Sequence, residues 1–297
     1  IDYRSGTIRE FASNGRFEGD DSSLRLITGG NRFFYLYDSP SYFRLSELDP
    51  RDGSLYAGVE VYDSVGTCLA VLGDDLFYGT GGDFRTVPDF ATVGFVGDGD
   101  DLTSGDACGR QITTVAGNLV QLDFALPLSG PADGPIEVWT LDAATGQRTA
   151  RLLAIDNSDE RFIETIGSGA WRLSTFALAT DGVYIAVQPQ AGVVEVWFSA
   201  YGEGDGPDGA LTPSRLIRID DPAQLGVPLS AAADLFIKDM AADDGYLVLS
   251  VEADEVVAGV RYREPRLLVA DTYGGDVDVL DLGVRTSEVA IIHHDGE

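Results

Sequence analysis

The sequence contains few cysteines and few histidines, and each shortage excludes a class of protein. Its two cysteines, Cys68 and Cys108, form no Cys-x-x-Cys pattern and no cluster with histidine, which excludes a structural zinc site. The two histidines, His293 and His294, are adjacent, and no Gly-x-Ser-x-Gly stretch occurs. The sequence therefore lacks the signature of a Ser-His-Asp hydrolase.

Long apolar runs and positive charge are also scarce. No apolar run approaches the roughly 18 residues of a membrane-spanning helix, so no membrane span is predicted. Lysine and arginine number 20 against 49 aspartates and glutamates, which gives a net charge of −29, and Lys238 is the only lysine. A surface of this sign repels phosphate groups, so nucleic acid and anionic membranes are poor partners. The acidic excess serves either cation binding or a solvated acidic shell.

Helical periodicity is nearly absent, and a repeat of short apolar runs around small turns takes its place. The first kind of hairpin recurs five times, at residues 24–38, 68–80, 112–124, 175–188 and 237–251. A second kind follows it, at residues 42–62, 136–155, 194–219 and 266–282, with a weaker match at 89–105. Two hairpins per unit make a four-stranded antiparallel sheet. A period of roughly 40–65 residues is typical of a β-propeller.

The two ends of the chain complement each other within this repeat. Residues 1–11, "IDYRSGTIREF", match a second hairpin, and residues 287–297, "SEVAIIHHDGE", match the start of a first hairpin. If both ends share one sheet, the ring closes and two sheet edges that could pair with other chains are removed. We predict a single all-β propeller domain over residues 1–297, with six four-stranded antiparallel blades closed by the N- and C-terminal strands. Seven blades, with a further unit between residues 80 and 112, is the alternative.

Two stretches carry a resemblance to known propellers. "IEVWTLDAATGQ" at residues 136–147 and "ALATDGVYIAV" at residues 177–187 resemble the repeats of PQQ-like (quinoprotein-like) and WD40-like propellers. The resemblance implies the fold. It does not imply an activity, because unrelated functions share this fold.

The cysteines acquire a role within this arrangement. Cys68 and Cys108 each lie just before the inner strand of consecutive predicted blades. Equivalent loops of neighbouring blades come close together, so we predict a disulfide between Cys68 and Cys108, with two buried free thiols as the alternative. A disulfide indicates an oxidising compartment, so we expect an exported protein in the extracellular space, the periplasm or on the cell surface.

Acidic loops supply the candidate metal ligands. Asp98, Asp100 and Asp101 resemble the start of a calcium loop, since Ca²⁺ prefers several carboxylate and carbonyl oxygens. Aspartate is also an ordinary turn residue, so solvated turns are the alternative. Asp239 lies in "KDMAADDGYLVL", at the predicted start of an inner strand. This stretch is similar to the Asp-Gly-Met-Ala or Glu-Gly-Met-Ala stretch of calcium-dependent propeller hydrolases. The similarity implies a metal ligand, and a carboxylate paired with an arginine at the channel mouth is the alternative.

The function predicted from these observations is non-catalytic. We expect an exported acidic propeller that binds a protein or glycan partner, or assembles with itself, with calcium as the one candidate cofactor. The alternative is a calcium-dependent hydrolase at the mouth of the central channel, where a divalent cation would lower the pKa of a bound water.

Overall fold

The computed structural model describes a defined part of the chain, and all structural statements below refer to it. The described residues are 23–29, 32–38, 43–49, 54–61, 69–80, 83–87, 94–96, 100–102, 111–123, 136–155, 173–189, 192–202, 209–243, 245–281, 289 and 291. Within these ranges no helix is long and apolar enough to cross a membrane.

The described chain consists of β-strands with one short 3₁₀ helix, Pro222–Leu225. The first nine strands are β1 (Ser23–Gly29), β2 (Arg32–Asp38), β3 (Phe43–Leu48), β4 (Leu55–Val61), β5 (Leu69–Leu72), β6 (Asp75–Thr80), β7 (Asp83–Val87), β8 (Gly94–Val96) and β9 (Asp100–Leu102). The next eight are β10 (Gln111–Val115), β11 (Asn118–Asp123), β12 (Ile136–Leu141), β13 (Arg148–Ile155), β14 (Leu173–Leu178), β15 (Gly182–Val187), β16 (Val194–Ala200) and β17 (Ser214–Ile219). The last four are β18 (Asp234–Asp243), β19 (Tyr246–Val257), β20 (Val260–Asp271) and β21 (Val277–Leu280).

These strands form five sheets whose hydrogen-bonded order follows the chain. The orders are β1-β2-β3-β4-β8, β5-β6-β7-β9, β10-β11-β12-β13, β14-β15-β16-β17 and β18-β19-β20-β21. Neighbouring strands are antiparallel, except that β8 pairs with β4 in parallel. The first strands of the sheets contact one another, β1 with β5, β5 with β10 and β14 with β18. Consecutive meanders with their first strands gathered together are the arrangement of a β-propeller, so the predicted fold class is confirmed.

Four hydrophobic cores join each sheet to the next one along the chain. Leu36 of the first sheet packs with Tyr78 of the second, and Phe77 of the second packs with Leu119 of the third. The third and fourth sheets share a core, as do the fourth and fifth. A sheet packed on both sides has to be apolar on both faces, and every residue of β15 is buried. Each large aliphatic side chain buried here contributes about 1.5–3 kcal/mol.

The predicted hairpins are confirmed except between residues 80 and 112. There the third and fourth strands of the second sheet, β7 and β9, are short and separated, and β8 instead extends the first sheet. Strands β7, β8 and β9 therefore complete the outer parts of two existing sheets. The seven-blade alternative, which needed an additional unit in this stretch, is wrong for that reason.

The predicted count of six blades is also not confirmed. The described residues form four four-stranded blades and one five-stranded sheet, rather than six or seven blades. The sixth blade and the closure of the ring were predicted from residues 1–11 and 287–297. Apart from Val289 and Ile291, these residues lie outside the described part of the chain. The predicted pairing of the two ends therefore stays a prediction.

Two tight turns place alanine in an unusual backbone conformation. Ala116–Gly117 joins β10 to β11 with φ values of 49° and 75°, and Ala258–Gly259 joins β19 to β20 with φ values of 51° and 81°. These are two-residue turns with positive φ at both positions, the type I′ geometry that matches the strand twist. Alanine in this left-handed region is strained by roughly 1 kcal/mol, whereas glycine and, to a lesser degree, asparagine tolerate it.

We predict that Ala116→Asn stabilises the protein. Asparagine tolerates positive φ better than alanine, so the free energy of unfolding should rise by about 0.5 kcal/mol. Urea denaturation measures the change. Ala144→Asn, at an exposed turn position without positive φ, is the matched control and should not be stabilising. Equal effects at both sites would contradict the explanation by backbone strain.

Candidate protein-interaction site

The hairpin β19–β20 extends beyond the sheet to which it belongs. Its two strands have 12 residues each. The inner neighbour β18 pairs with β19 only as far as Asp254, and the outer neighbour β21 pairs with β20 only over Leu267–Ala270. In the described structure the hairpin therefore continues past both neighbours as a two-stranded projection. We call residues 252–266 the arm.

Strand register assigns the arm's side chains to two different faces. Directly paired residues of an antiparallel ladder share a face. Val257 pairs with Val260 and Glu255 with Tyr262, so these four lie on one face. The opposite face carries Asp254 with its partner Arg263, and Val256 with its partner Arg261. One face is thus mainly apolar towards the tip and the other is charged, and we call them the apolar face and the charged face.

The charged face is held by ion pairs around two buried carboxylates. Glu252 is only 4% exposed and Asp254 only 6%. Arg261 donates from Nε to both oxygens of Asp254, at 2.9 and 2.8 Å. Arg263 Nε lies 3.3 Å from Asp254 Oδ2, and Lys238 Nζ lies 3.5 Å from Glu252 Oε1. Since a buried carboxylate without a partner is strongly destabilising, these cations are necessary for the arm to keep its acids buried.

Hydrogen bonds from Arg261, with the nearby charge of Arg263, hold the pKa of Asp254 below its usual range. A carboxyl group whose pKa is lowered in the folded state stabilises the fold when it is ionised. This contribution is present above the ordinary aspartate pKa and is lost as the pH falls through the lowered value. The arginines are partly exposed, so solvent screens the pair and its contribution is modest.

The root of the apolar face is fixed by the segment that follows the fourth sheet. Ser230 donates to Glu255 from its backbone N–H, at 3.0 Å, and from its hydroxyl. Arg266 donates from Nε to the carbonyl of Leu225, at 3.3 Å. Leu225 ends a 3₁₀ helix that is capped by Asp221. The arm is therefore restrained on both faces up to its last few residues.

The tip of the arm exposes a group of large apolar side chains. The exposed fractions are 65% for Val256, 48% for Val257, 53% for Val260 and 47% for Tyr262. Single exposed apolar residues are common on protein surfaces, but Val257, Val260 and Tyr262 lie together on the apolar face of a restrained projection, which is typical of an interaction site. Val277 and Val279 of β21 are also exposed, but β21 pairs with β20 only over Leu267–Ala270, so these two valines lie outside the arm.

The described candidate metal ligands, Asp100, Asp101 and Asp239, lie on two different sheets. Asp239 lies in the middle of β18, the first strand of the fifth sheet, whereas the sequence predicted it at the start of that strand. Its Oδ2 accepts a hydrogen bond of 2.7 Å from the backbone N–H of Val289, rather than from an arginine. Burial raises the pKa of Asp239, partly offset by the hydrogen bonds from Val289 and Met240.

The remaining predicted site residues stay predictions. Asp100 and Asp101 belong to β9, paired with Thr86 and Arg85, whereas Asp98 lies outside the described residues. Cys68 and Cys108 also lie outside the described residues, so the predicted disulfide has no structural test. Among the described residues, no group of three or more histidine, cysteine, aspartate or glutamate side chains could hold a metal ion.

Sequence reasoning missed the arm. The repeat pattern assigned residues 237–251 and 266–282 to hairpins and left the residues between them unassigned. The stretch "VVAGVRY" at residues 256–262 carried the signal, since a glycine between two apolar runs favours a short turn.

Comparisons with known proteins identify no family for this chain. No protein-family model matches the chain, and no curated protein shows a significant match. Among solved structures, the β-propeller domain of the trilobed protease from Pyrococcus furiosus is similar over 92% of this chain and 75% of its own, with 11% identity and a TM-score of 0.42. The uncharacterized protein lmo1340 from Listeria monocytogenes is similar over 92% of this chain and 74% of its own, with 10% identity and a TM-score of 0.42.

A third similar structure is the acylaminoacyl peptidase of Pyrococcus horikoshii, with 11% identity and a TM-score of 0.45. The match covers 91% of this chain and 41% of the peptidase, so this chain spans less than half of that protein. The sheet order and the cores between sheets define the class of this protein, an all-β propeller.

We predict that Asp254→Asn lowers the free energy of unfolding by about 1 kcal/mol near pH 7, because it removes the charge that Arg261 and Arg263 face. The difference from wild type should shrink as the pH falls through the lowered pKa of Asp254, where the wild-type carboxyl also becomes neutral. Thermal unfolding from about pH 7 to about pH 3 measures it. Asp276→Asn, at an exposed aspartate in the turn before β21, is the control. A difference that does not change with pH would contradict the ion-pair explanation.

Proposed function

We propose that this chain is an exported, non-catalytic binding or scaffold propeller that takes a protein partner on the arm. The observation that carries the proposal is the exposed apolar group at the arm's tip, Val256, Val257, Val260 and Tyr262. Water-exposed apolar area on a projection is unfavourable for a chain that remains alone, and it is removed when a partner covers it.

The restraints on the arm support a binding role. Binding costs free energy when a flexible segment has to be ordered. The ion pairs of Asp254 and the hydrogen bonds from Ser230 to Glu255 already order the arm in the free protein. A partner would therefore meet a preorganised surface, and most of the apolar contact would appear as affinity.

The composition of the tip favours a protein over a glycan. Three of its four exposed apolar residues are valines, and Tyr262 is the only aromatic one. Sugars are commonly held by stacking on several aromatic rings, which this tip does not offer, whereas a single tyrosine is one of the residues enriched in protein interfaces.

Photo-crosslinking from the tip tests this function. With p-benzoylphenylalanine in place of Tyr262, we expect a covalent adduct to one defined protein, which mass spectrometry identifies. The affinity of that purified protein should fall about tenfold or more in Val260→Asp, because a charge enters an apolar contact. Val277→Asp, the same substitution at an exposed valine on β21, is the matched control. Equal affinity of the wild type and Val260→Asp would refute binding through the arm.

A calcium-dependent hydrolase remains the second candidate, because Asp239 is a partly buried carboxylate on an inner strand. Under our proposal Asp239 is a structural acceptor for the Val289 N–H. Its raised pKa means that the ionised carboxylate destabilises the folded state at neutral pH.

Asp239→Asn keeps an acceptor and removes the charge, so we expect the melting temperature to rise by about 1–3 °C near pH 7. Replacing a chelator by about 1 mM calcium should leave the melting temperature of both proteins unchanged. A rise with calcium in the wild type that is absent in Asp239→Asn, and absent with magnesium, would favour the hydrolase instead.

A further inference from the structure

The tip of the arm lacks acidic residues in a chain that is otherwise strongly acidic. Residues 256–263, "VVAGVRYR", contain no aspartate or glutamate, whereas the whole chain has a net charge of −29. The two charged residues of this stretch, Arg261 and Arg263, face the buried carboxylate of Asp254. The tip is therefore a place where another strongly acidic surface can approach without like charges in contact.

The acids that border the apolar face have partners within the same chain. Glu255 accepts two hydrogen bonds from Ser230, which lower its pKa. Glu264 lies 3.3 Å from Arg266 Nη1. A surface that packs on Val257, Val260 and Tyr262 thus meets bordering carboxylates that are already engaged.

The unpaired edge of β20 is less suited to contact with a partner than the apolar face is. Pro265 has no N–H to donate to an added strand, and Arg261 and Arg263 alternate along the same edge. Proline and charged side chains are the usual protection of an edge strand against pairing. Contact through the apolar face leaves these groups undisturbed.

We propose that the partner on the arm is a second copy of this chain, and that two arms pack tip to tip through the apolar face about a two-fold axis. This inference rests on the proposed function. In a two-fold contact the same patch serves both subunits, so Tyr262 and Val260 of each copy cover the apolar group of the other. The acid-free tips meet, and the two acidic bodies stay apart at the far ends of the arms.

The charge distribution predicts an unusual salt dependence. Two bodies with a net charge of −29 repel each other, and salt screens this repulsion. The apolar contact itself is not weakened by moderate salt. Association should therefore become tighter as salt is added, opposite to a complex in which the acidic body attracts a basic partner.

Sedimentation velocity of the purified chain tests the inference. The contact is small, so we expect a monomer–dimer equilibrium with a Kd on the order of 100 µM, which falls severalfold between about 0.05 M and about 0.5 M NaCl. Val260→Asp should weaken the dimer about tenfold or more, and Val277→Asp should not. Benzoylphenylalanine at position 262 of the purified chain should crosslink arm to arm between two copies. Thermal unfolding confirms that each variant is folded.

Three results would overturn the inference. These are a monomer at all concentrations and salts, a dimer that is unaffected by Val260→Asp, and a dimer that dissociates as salt is added. A crosslink within a single chain would also overturn it, because it would show that another segment of the same chain covers the tip. None of these results removes the proposed function if an identified protein of another kind binds the wild type and not Val260→Asp. If no protein binds through the arm, both fail.

Discussion

The structure depends on the packing of each sheet against the next one along the chain. A four-stranded meander that is apolar on both faces cannot be stable alone, because one face would remain in water. The cores between consecutive sheets remove this exposure, and they explain why a strand such as β15 is buried at every position. The order of the sheets in space then follows from their order in the chain, and the first strands are brought together.

The same constraint explains why the arm is a candidate site. Where a strand lies between two sheets, its apolar side chains are covered by the fold itself. Beyond Asp254 and Leu267, the neighbouring strands of the described sheet end, and the alternating pattern of β19 and β20 continues without them. Packing between sheets therefore does not cover the valines at the tip. The buried, ion-paired carboxylates Glu252 and Asp254 show that the projection nevertheless has an ordered structure of its own.

The hairpins could be predicted from sequence because their signals are local: alternating apolar residues and a turn of two or three residues. The stretch 83–102 was misjudged because β7 is separated from β9 by a segment that contributes β8 to a different sheet, and no local pattern encodes that pairing. Asp239 was predicted at the start of an inner strand but lies in the middle of β18, and its partner Val289 lies 50 residues away. The arm depends on where neighbouring strands end, which is equally non-local.

Several of the described arginines pair with carboxylates of the same chain, and this limits what these arginines can bind. Glu195 is buried and accepts from Arg215, Arg218 and the indole N–H of Trp197. In the third sheet, Glu137 accepts hydrogen bonds in the same way from Trp139 on β12 and Arg151 on β13. The arm repeats this use of arginine at Asp254. Because these guanidinium groups already neutralise carboxylates, recognition of an anionic ligand through them would require breaking existing ion pairs. Contact at the tip can instead rest on apolar area, which the fold leaves accessible at no such cost.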